Sequence, residues 1–125
     1  MKNCVFCNID KNKIIAKSEY SLAFFDNFPV NKGHILIIPK NHIENYFDLS
    51  DIEKKDIWKL VDKVKIIIEK KFNPDGFNIG INIGKYAGQT INHCHIHIIP
   101  RYKGDMDNPE GGVRGVIPAK QKYKL

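Results

Sequence analysis

Two stretches of this chain alternate apolar and polar residues, and a third repeats its apolar residues every three or four positions. Phe77, Ile79, Ile81 and Ile83 alternate with Asn78, Gly80 and Asn82, which predicts a half-buried strand over 77–83. The same period of two over 91–100 puts His93, His95 and His97 on one face of a second strand. Cys94, Ile96 and Ile98 then point to the other face, toward a core. Ser50 with Glu53 three residues on is a capping-box pair. Behind it Ile57, Leu60, Val61, Val64, Ile67 and Ile68 form one apolar stripe of a long helix. That helix is predicted to end near Phe72, because Asn73, Pro74, Asp75 and Gly76 form a stop and turn. Upstream, short strands are predicted over 14–17, 21–25 and 34–38, the last stopped by Pro39. A turn-rich loop spans 26–33, and 41–48 reads as irregular or a short helical turn.

These elements predict an α+β fold, with an antiparallel sheet of about five strands and one long helix on its dry face. If 77–83 and 91–100 pair antiparallel, their apolar faces share the helix as a lid. Asn78, Asn82, His93, His95 and His97 then gather on the opposite, chemical face. The 125 residues are expected to form one domain over 1–125. Residues 102–125 are rich in Gly and Pro and form a tail or arm. Val113, Val116 and Ile117 suggest that part of it docks, as a short strand or on a partner subunit.

Charge narrows the partners only a little. The net charge is +6, which suits nucleic acid, a membrane surface or a small anionic substrate. Many of the lysines, from Lys54 to Lys71, belong to the helix with acidic residues among them, and read as a solvated face. No basic-aromatic interleaving points to nucleic acid, and no apolar run is long enough to span a membrane. The start, Met1-Lys2-Asn3-Cys4, lacks the apolar stretch of a secretory signal, so the cytoplasm is the expected compartment. Three cysteines there argue against a disulfide framework.

Cys4 and Cys7 form a C-x-x-C pair, which fits half a zinc site or a redox pair. A structural zinc site needs two more ligands, and the candidates are His34, His42, His93 and the other two clustered histidines. Three imidazoles on one face make a poor core, because each has polar nitrogens that need partners. They fit a histidine-rich edge strand, a pair of metal ligands with a bystander, or a nucleophile. A nucleophilic imidazole needs one bare nitrogen and the other held by an acceptor, and the middle ring of a row can have both.

Gly88-Gln89-Thr90 ahead of His93-Cys94-His95-Ile96-His97, and Pro100-Arg101 behind it, resemble the histidine triad, or HIT, superfamily of nucleotide hydrolases and transferases. The resemblance covers nearly the whole chain. It implies a covalent nucleotidyl intermediate on His95 at the α-phosphorus, with His97 on the phosphate oxygens and His93 and Gln89 completing the catalytic set. It implies that Gln89, Thr90 and Asn82 contact phosphate or ribose and that Asp26 grips the ribose hydroxyls. The base pocket corresponds to Val5, Phe6, Ile9, Phe24 and Asn27. Zinc-bearing prokaryotic members imply one structural Zn²⁺ per chain, on Cys4, Cys7, His42 and His93. The implied substrate is a purine nucleotide, the implied assembly a homodimer. Gly88-Gln89-Thr90 resembles the fragile-histidine-triad branch, and the tail 107–114 resembles prokaryotic dinucleoside-polyphosphate hydrolases, which implies release of AMP from dinucleoside polyphosphates. Adenosine 5′-phosphoramidase activity, phosphorolysis and a zinc-stabilised nucleotide-binding module with little turnover are the competing expectations.

Overall fold

A computed structural model describes residues 2–125; Met1, part of the expected domain, lies outside the described residues. The strands are β1 (Ile14–Lys17), β2 (Ser21–Phe25), β3 (Ile35–Pro39), β4 (Gly76–Ile81) and β5 (Ile96–Arg101), and the helix is α1 (Asp51–Phe72). All pairings are antiparallel, in the order β1-β2-β3-β5-β4. The expected α+β architecture is therefore present. Among the described residues no helix is long and apolar enough to cross a membrane.

Helix α1 begins as its sequence dictates. The Ser50 side chain accepts from the Glu53 N–H, and the Glu53 carboxylate accepts from the Ser50 N–H at 3.0 Å. Ile57, Leu60, Val61, Val64 and Ile68 are buried against Ala23, Ile35, Ile37, Ile96 and Ile98. Each fully buried aliphatic side chain contributes roughly 1.5–3 kcal/mol. A polar bolt adds to this contact. Asp56 Oδ2 accepts from the Ser18 hydroxyl at 2.6 Å, the Ser21 hydroxyl at 2.8 Å and the Tyr20 N–H at 3.2 Å, so the helix is fixed to the β1–β2 turn. At the other end Gly33 has φ +87°, and a Cβ there would meet Phe72 Cδ2 at 2.8 Å.

Three expectations need correction. The histidine strand starts later than the alternation suggests: only His97 lies in β5, and His93 and His95 precede it. The Cys94 N–H donates to the Ile43 carbonyl at 2.7 Å, and the His95 Nδ1–H to the His93 carbonyl at 2.8 Å. These bonds take the backbone there away from the ladder. The sheet face opposite α1 is not simply polar either. Phe24, Leu36 and Ile38 make a second apolar cluster, closed by Phe6 of the N-terminal segment. The tail forms short 3-10 turns, Gly112–Val116 and Pro118–Lys120, in place of the short strand that was one of its two expected forms. Val113, Val116 and Ile117 stay exposed.

Candidate active site and metal centre

Hydrogen bonds assign a proton to each triad ring. His93 Nε2 lies 2.9 Å from the Pro39 carbonyl oxygen. A carbonyl only accepts, so Nε2 carries the proton and Nδ1 is bare. That bare nitrogen is 3.5 Å from both Cys4 Sγ and Cys7 Sγ, while His42 Nδ1 is 3.2 Å from Cys7 Sγ. The four ligand atoms lie within 4.8 Å of one another. In a zinc tetrahedron with ordinary Zn–S and Zn–N bonds, sulfur and nitrogen stand about 3.5 Å apart. The donor set and spacing therefore fit a closed two-thiolate, two-imidazole site, with the Pro39 carbonyl orienting His93 from behind. Burial lowers the His93 pKa, which favours the neutral ring a metal needs.

His95 donates its Nδ1–H to the His93 carbonyl, leaving Nε2 as a lone pair. The ring is 6% exposed and sits edge-on to Phe6, at 5.1 Å between centroids, and to His97, at 5.0 Å. It has what a nitrogen nucleophile requires: a bare nitrogen, and an acceptor on the far side to steady the positive charge that develops as the nitrogen bonds.

The third ring depends on a residue outside the triad. The Val30 N–H donates to His34 Nδ1 at 2.9 Å, so the His34 proton is on Nε2. That atom is 3.0 Å from His97 Nδ1 and 3.5 Å from Asp26 Oδ2. His97 therefore accepts at Nδ1 and carries its own proton at Nε2, an atom that is buried with no partner among the described residues. Burial pushes the His97 pKa down to about 4, with His95 and His34 adding and Asp26 opposing. Burial also lowers that of His34, against Asp26. At neutral pH His97 thus offers an uncharged, unsatisfied N–H donor. Asp26, His34 and His97 are close enough to suggest a second metal site. A cation on His34 Nε2 would leave both of its ring nitrogens without a proton, so we read the trio as a hydrogen-bond relay.

The rings open on a cavity of about 580 Å³, within the range of small-molecule sites. Val5, Phe6, Ile9, Phe24, Asp26, Asn27, Thr90, His95 and His97 all line it, and so do Leu36, Ile91, Phe28 and Lys13. A groove of about 610 Å³ is lined by Cys4 and His42 of the Cys4–Cys7–His42–His93 cluster and by no triad ring. Asn82 lines a different cavity, shared with His97. Gln89 lines neither of the cavities beside His97. Its Oε1 accepts from the Gly84 N–H at 2.9 Å, and its Nε2 donates to the carbonyls of Glu44 and Ile91 at 2.9 and 3.1 Å. It braces the loop that carries the triad. Sequence reasoning considered His34 only as a metal ligand and missed its relay. The signal was available: pairing 21–25 with 34–38 around the 26–33 loop brings His34 back to Asp26, where the Asp26 N–H donates to the His34 carbonyl at 3.0 Å.

The HIT domain family matches residues 8–104. This chain belongs to the HIT family. It is 42% identical over 103 residues to the adenosine 5'-monophosphoramidase hnt1 of Schizosaccharomyces pombe, covering 79% of this chain and 74% of that protein. It is 40% identical over 100 residues to the bis(5'-adenosyl)-triphosphatase of Dictyostelium discoideum, covering 80% and 67%. Among solved structures, a Zn-bound histidine triad family protein from Mycobacterium smegmatis superposes with a TM-score of 0.75 at 33% identity, covering 83% and 78%. The HIT fold read from the sequence is thus the fold of this chain.

Proposed function

We propose that this HIT protein is a nucleotide hydrolase that acts through a nucleotidyl-His95 intermediate and releases AMP from dinucleoside polyphosphates. One observation carries the reading: His95 has its Nδ1–H on the His93 carbonyl at 2.8 Å and so keeps Nε2 as a lone pair. In the proposed reaction Nε2 attacks the α-phosphorus, and the P–O bond to the leaving group breaks with its electron pair going to that oxygen. Charge developing on the phosphoryl oxygens is met by the buried His97 Nε2–H. Water then attacks the same phosphorus, the P–N bond breaks, and His95 is restored. The apolar wall of Phe6, Phe24 and Leu36 suits a base, and Asp26 can accept from a ribose diol.

Names of relatives support both nucleotide classes, since one similar protein is a bis(5'-adenosyl)-triphosphatase and another an adenosine 5'-monophosphoramidase. Phosphoramidate cleavage would use the same nucleophile, with a P–N bond broken in the first step. The reading includes a structural zinc on Cys4, Cys7, His42 and His93, which would hold the N-terminal segment against the triad loop. It also includes a homodimer, supported by the open β4 edge, where Ile79 is 42% exposed. The test is His95→Asn. This variant should keep its fold and its affinity for AMP within about tenfold, while turnover falls to background. Acid quench of the wild type with labelled substrate should trap an adduct on His95 by mass spectrometry. Substantial turnover by His95→Asn would end the covalent reading and leave a nucleotide-binding module.

A further inference from the structure

The three cysteines of this chain fall into two classes. Cys94 is 1% exposed and packed in the interior. Cys4 and Cys7 are half-buried free thiols. Cys4 also lines the groove of about 610 Å³, beside Lys2, Asn3 and His42, so a small solute reaches this pair and not the third thiol. Both sulfurs lie 3.5 Å from the same nitrogen, His93 Nδ1, and within 4.8 Å of each other. Metal bound there would keep both as thiolates, the form that attacks an electrophile. Between them in the chain stands Phe6, buried, with its ring edge-on to those of His93 and His95. His93 in turn holds the Nδ1–H of His95 through its carbonyl. The cysteine pair is thus joined to the His95 ring by two short routes, one through Phe6 and one through His93.

We infer, resting on the zinc cluster of the proposed function, that Cys4 and Cys7 are a reversible oxidation site for hydroperoxides, and that joining them both empties the cluster and disables the pocket at His95. With hydrogen peroxide, one thiolate attacks an oxygen and the O–O bond breaks, giving a sulfenic acid and hydroxide. The second thiolate attacks that sulfur, the S–O bond breaks, and the S–S bond forms as a second hydroxide leaves. Two electrons pass from the sulfurs to the peroxide, and two protons from solvent turn the hydroxides into water. His42 and His93 are then the only ligands left in the cluster, too few for a structural zinc site. A sulfur–sulfur bond is also shorter than the spacing of two sulfurs on one zinc ion. The turn that carries Val5 and Phe6 therefore tightens, and Phe6 leaves its place against His95. The helix side is spared, because the apolar cluster around α1 contains no residue of 4–9. A thiol reductant attacks the disulfide, returns both sulfurs and lets the cluster refill.

The test is a stepwise titration of the full chain, as purified, with hydrogen peroxide. Peptide mapping without reduction should find Cys4 joined to Cys7 and the Cys94 thiol intact, so that free thiols fall from three to one. A chromogenic chelator should register one zinc released per bond formed. AMP, followed by calorimetry, should bind about tenfold more weakly after oxidation, as one aromatic contact is lost. Amide exchange over 91–97 should quicken by about tenfold while that of α1 holds, and dithiothreitol with zinc should reverse every change. Cysteines that pass to sulfinic acids without a bond, or a bond to Cys94, overturn the switch. A Cys4–Cys7 bond that leaves both AMP affinity and exchange over 91–97 unchanged overturns it too, as does exchange that rises equally in α1, because that is unfolding. Protein that carries no metal yet forms the bond and quickens over 91–97 removes the zinc reading and keeps the thiol switch. Protein that holds zinc and resists the bond keeps the zinc reading and removes the switch. If the reduced protein binds no AMP, the nucleotide reading fails, and exchange over 91–97 decides the switch alone.

Discussion

Lowering the pH from 7 to 5 should destabilise this protein through His97, and His97→Asn should remove that part of the loss. The ring is held neutral in the fold, its pKa pushed from 6.5 down to about 4. Above pH 6.5 the ring is neutral in both folded and unfolded chains, and the stability is whole. Between 6.5 and about 4 the unfolded chain takes up a proton that the folded chain refuses, so stability falls as the pH falls. Each pH unit in that window is worth about 1.4 kcal/mol. The full span gives about 3 kcal/mol, and the part between pH 7 and 5 about 2 kcal/mol. Asparagine does not titrate, and its carbonyl oxygen can replace Nδ1 as the acceptor for the His34 N–H. The measurement is urea unfolding of both proteins at pH 7, 6 and 5. The wild type should lose about 2 kcal/mol more than the variant, near 1 M in midpoint at ordinary m-values. Asp105, whose carboxyl Arg101 holds well below the usual range, contributes stability that is lost only below the ordinary carboxylate pKa, outside this window. Parallel stability curves for the two proteins would show that His97 is not kept neutral by its surroundings.

Two further outcomes concern the scaffold. Protein purified without added metal should carry about one zinc per chain by elemental analysis, and Cys4→Ser with Cys7→Ser should lose it and melt at least several degrees lower; a metal-free wild type with unchanged melting would remove the zinc site. Gly33→Ala should cost about 1–3 kcal/mol in chemical denaturation, since it forces φ +87° on alanine and drives Cβ to 2.8 Å from Phe72 Cδ2; a neutral result would mean that the turn and the end of α1 relax together.

Periodicity and capping made most of the fold legible. The α1 stripe and its Ser50–Glu53 box were readable because both lie within a few residues of each other. The strands of the β1–β2–β3 meander were readable from short apolar runs between turn residues. The histidines were harder. Alternation correctly set His97 apart from Ile96 and Ile98, but it carried the strand through His93 and His95. Nothing local announces that the Cys94 N–H will bond to Ile43, about fifty residues earlier in the chain, or that His95 will bond the carbonyl of His93. Gln89 shows the same limit, because an amide suits a phosphate oxygen and a loop carbonyl equally well, and only the folded loop decides. The Cys4–Cys7–His42–His93 set came from a resemblance, since the spacing alone left several histidines open. Its four ligand atoms nevertheless meet in the fold.

Phe6 stands between the two cysteines of the metal cluster, and its ring lies 6.1 Å from that of His93 and 5.1 Å from that of His95. The interval between Cys4 and Cys7 is therefore also a ruler for the cavity beside His95. A residue inserted there would misplace the aromatic wall even if both sulfurs still reached their ligand positions. Exchange of Phe6 for a smaller side chain would widen the pocket and loosen the clamp together. In the proposed function, a change in the cysteine interval is also a change in the aromatic wall that meets the base, because one short turn carries both.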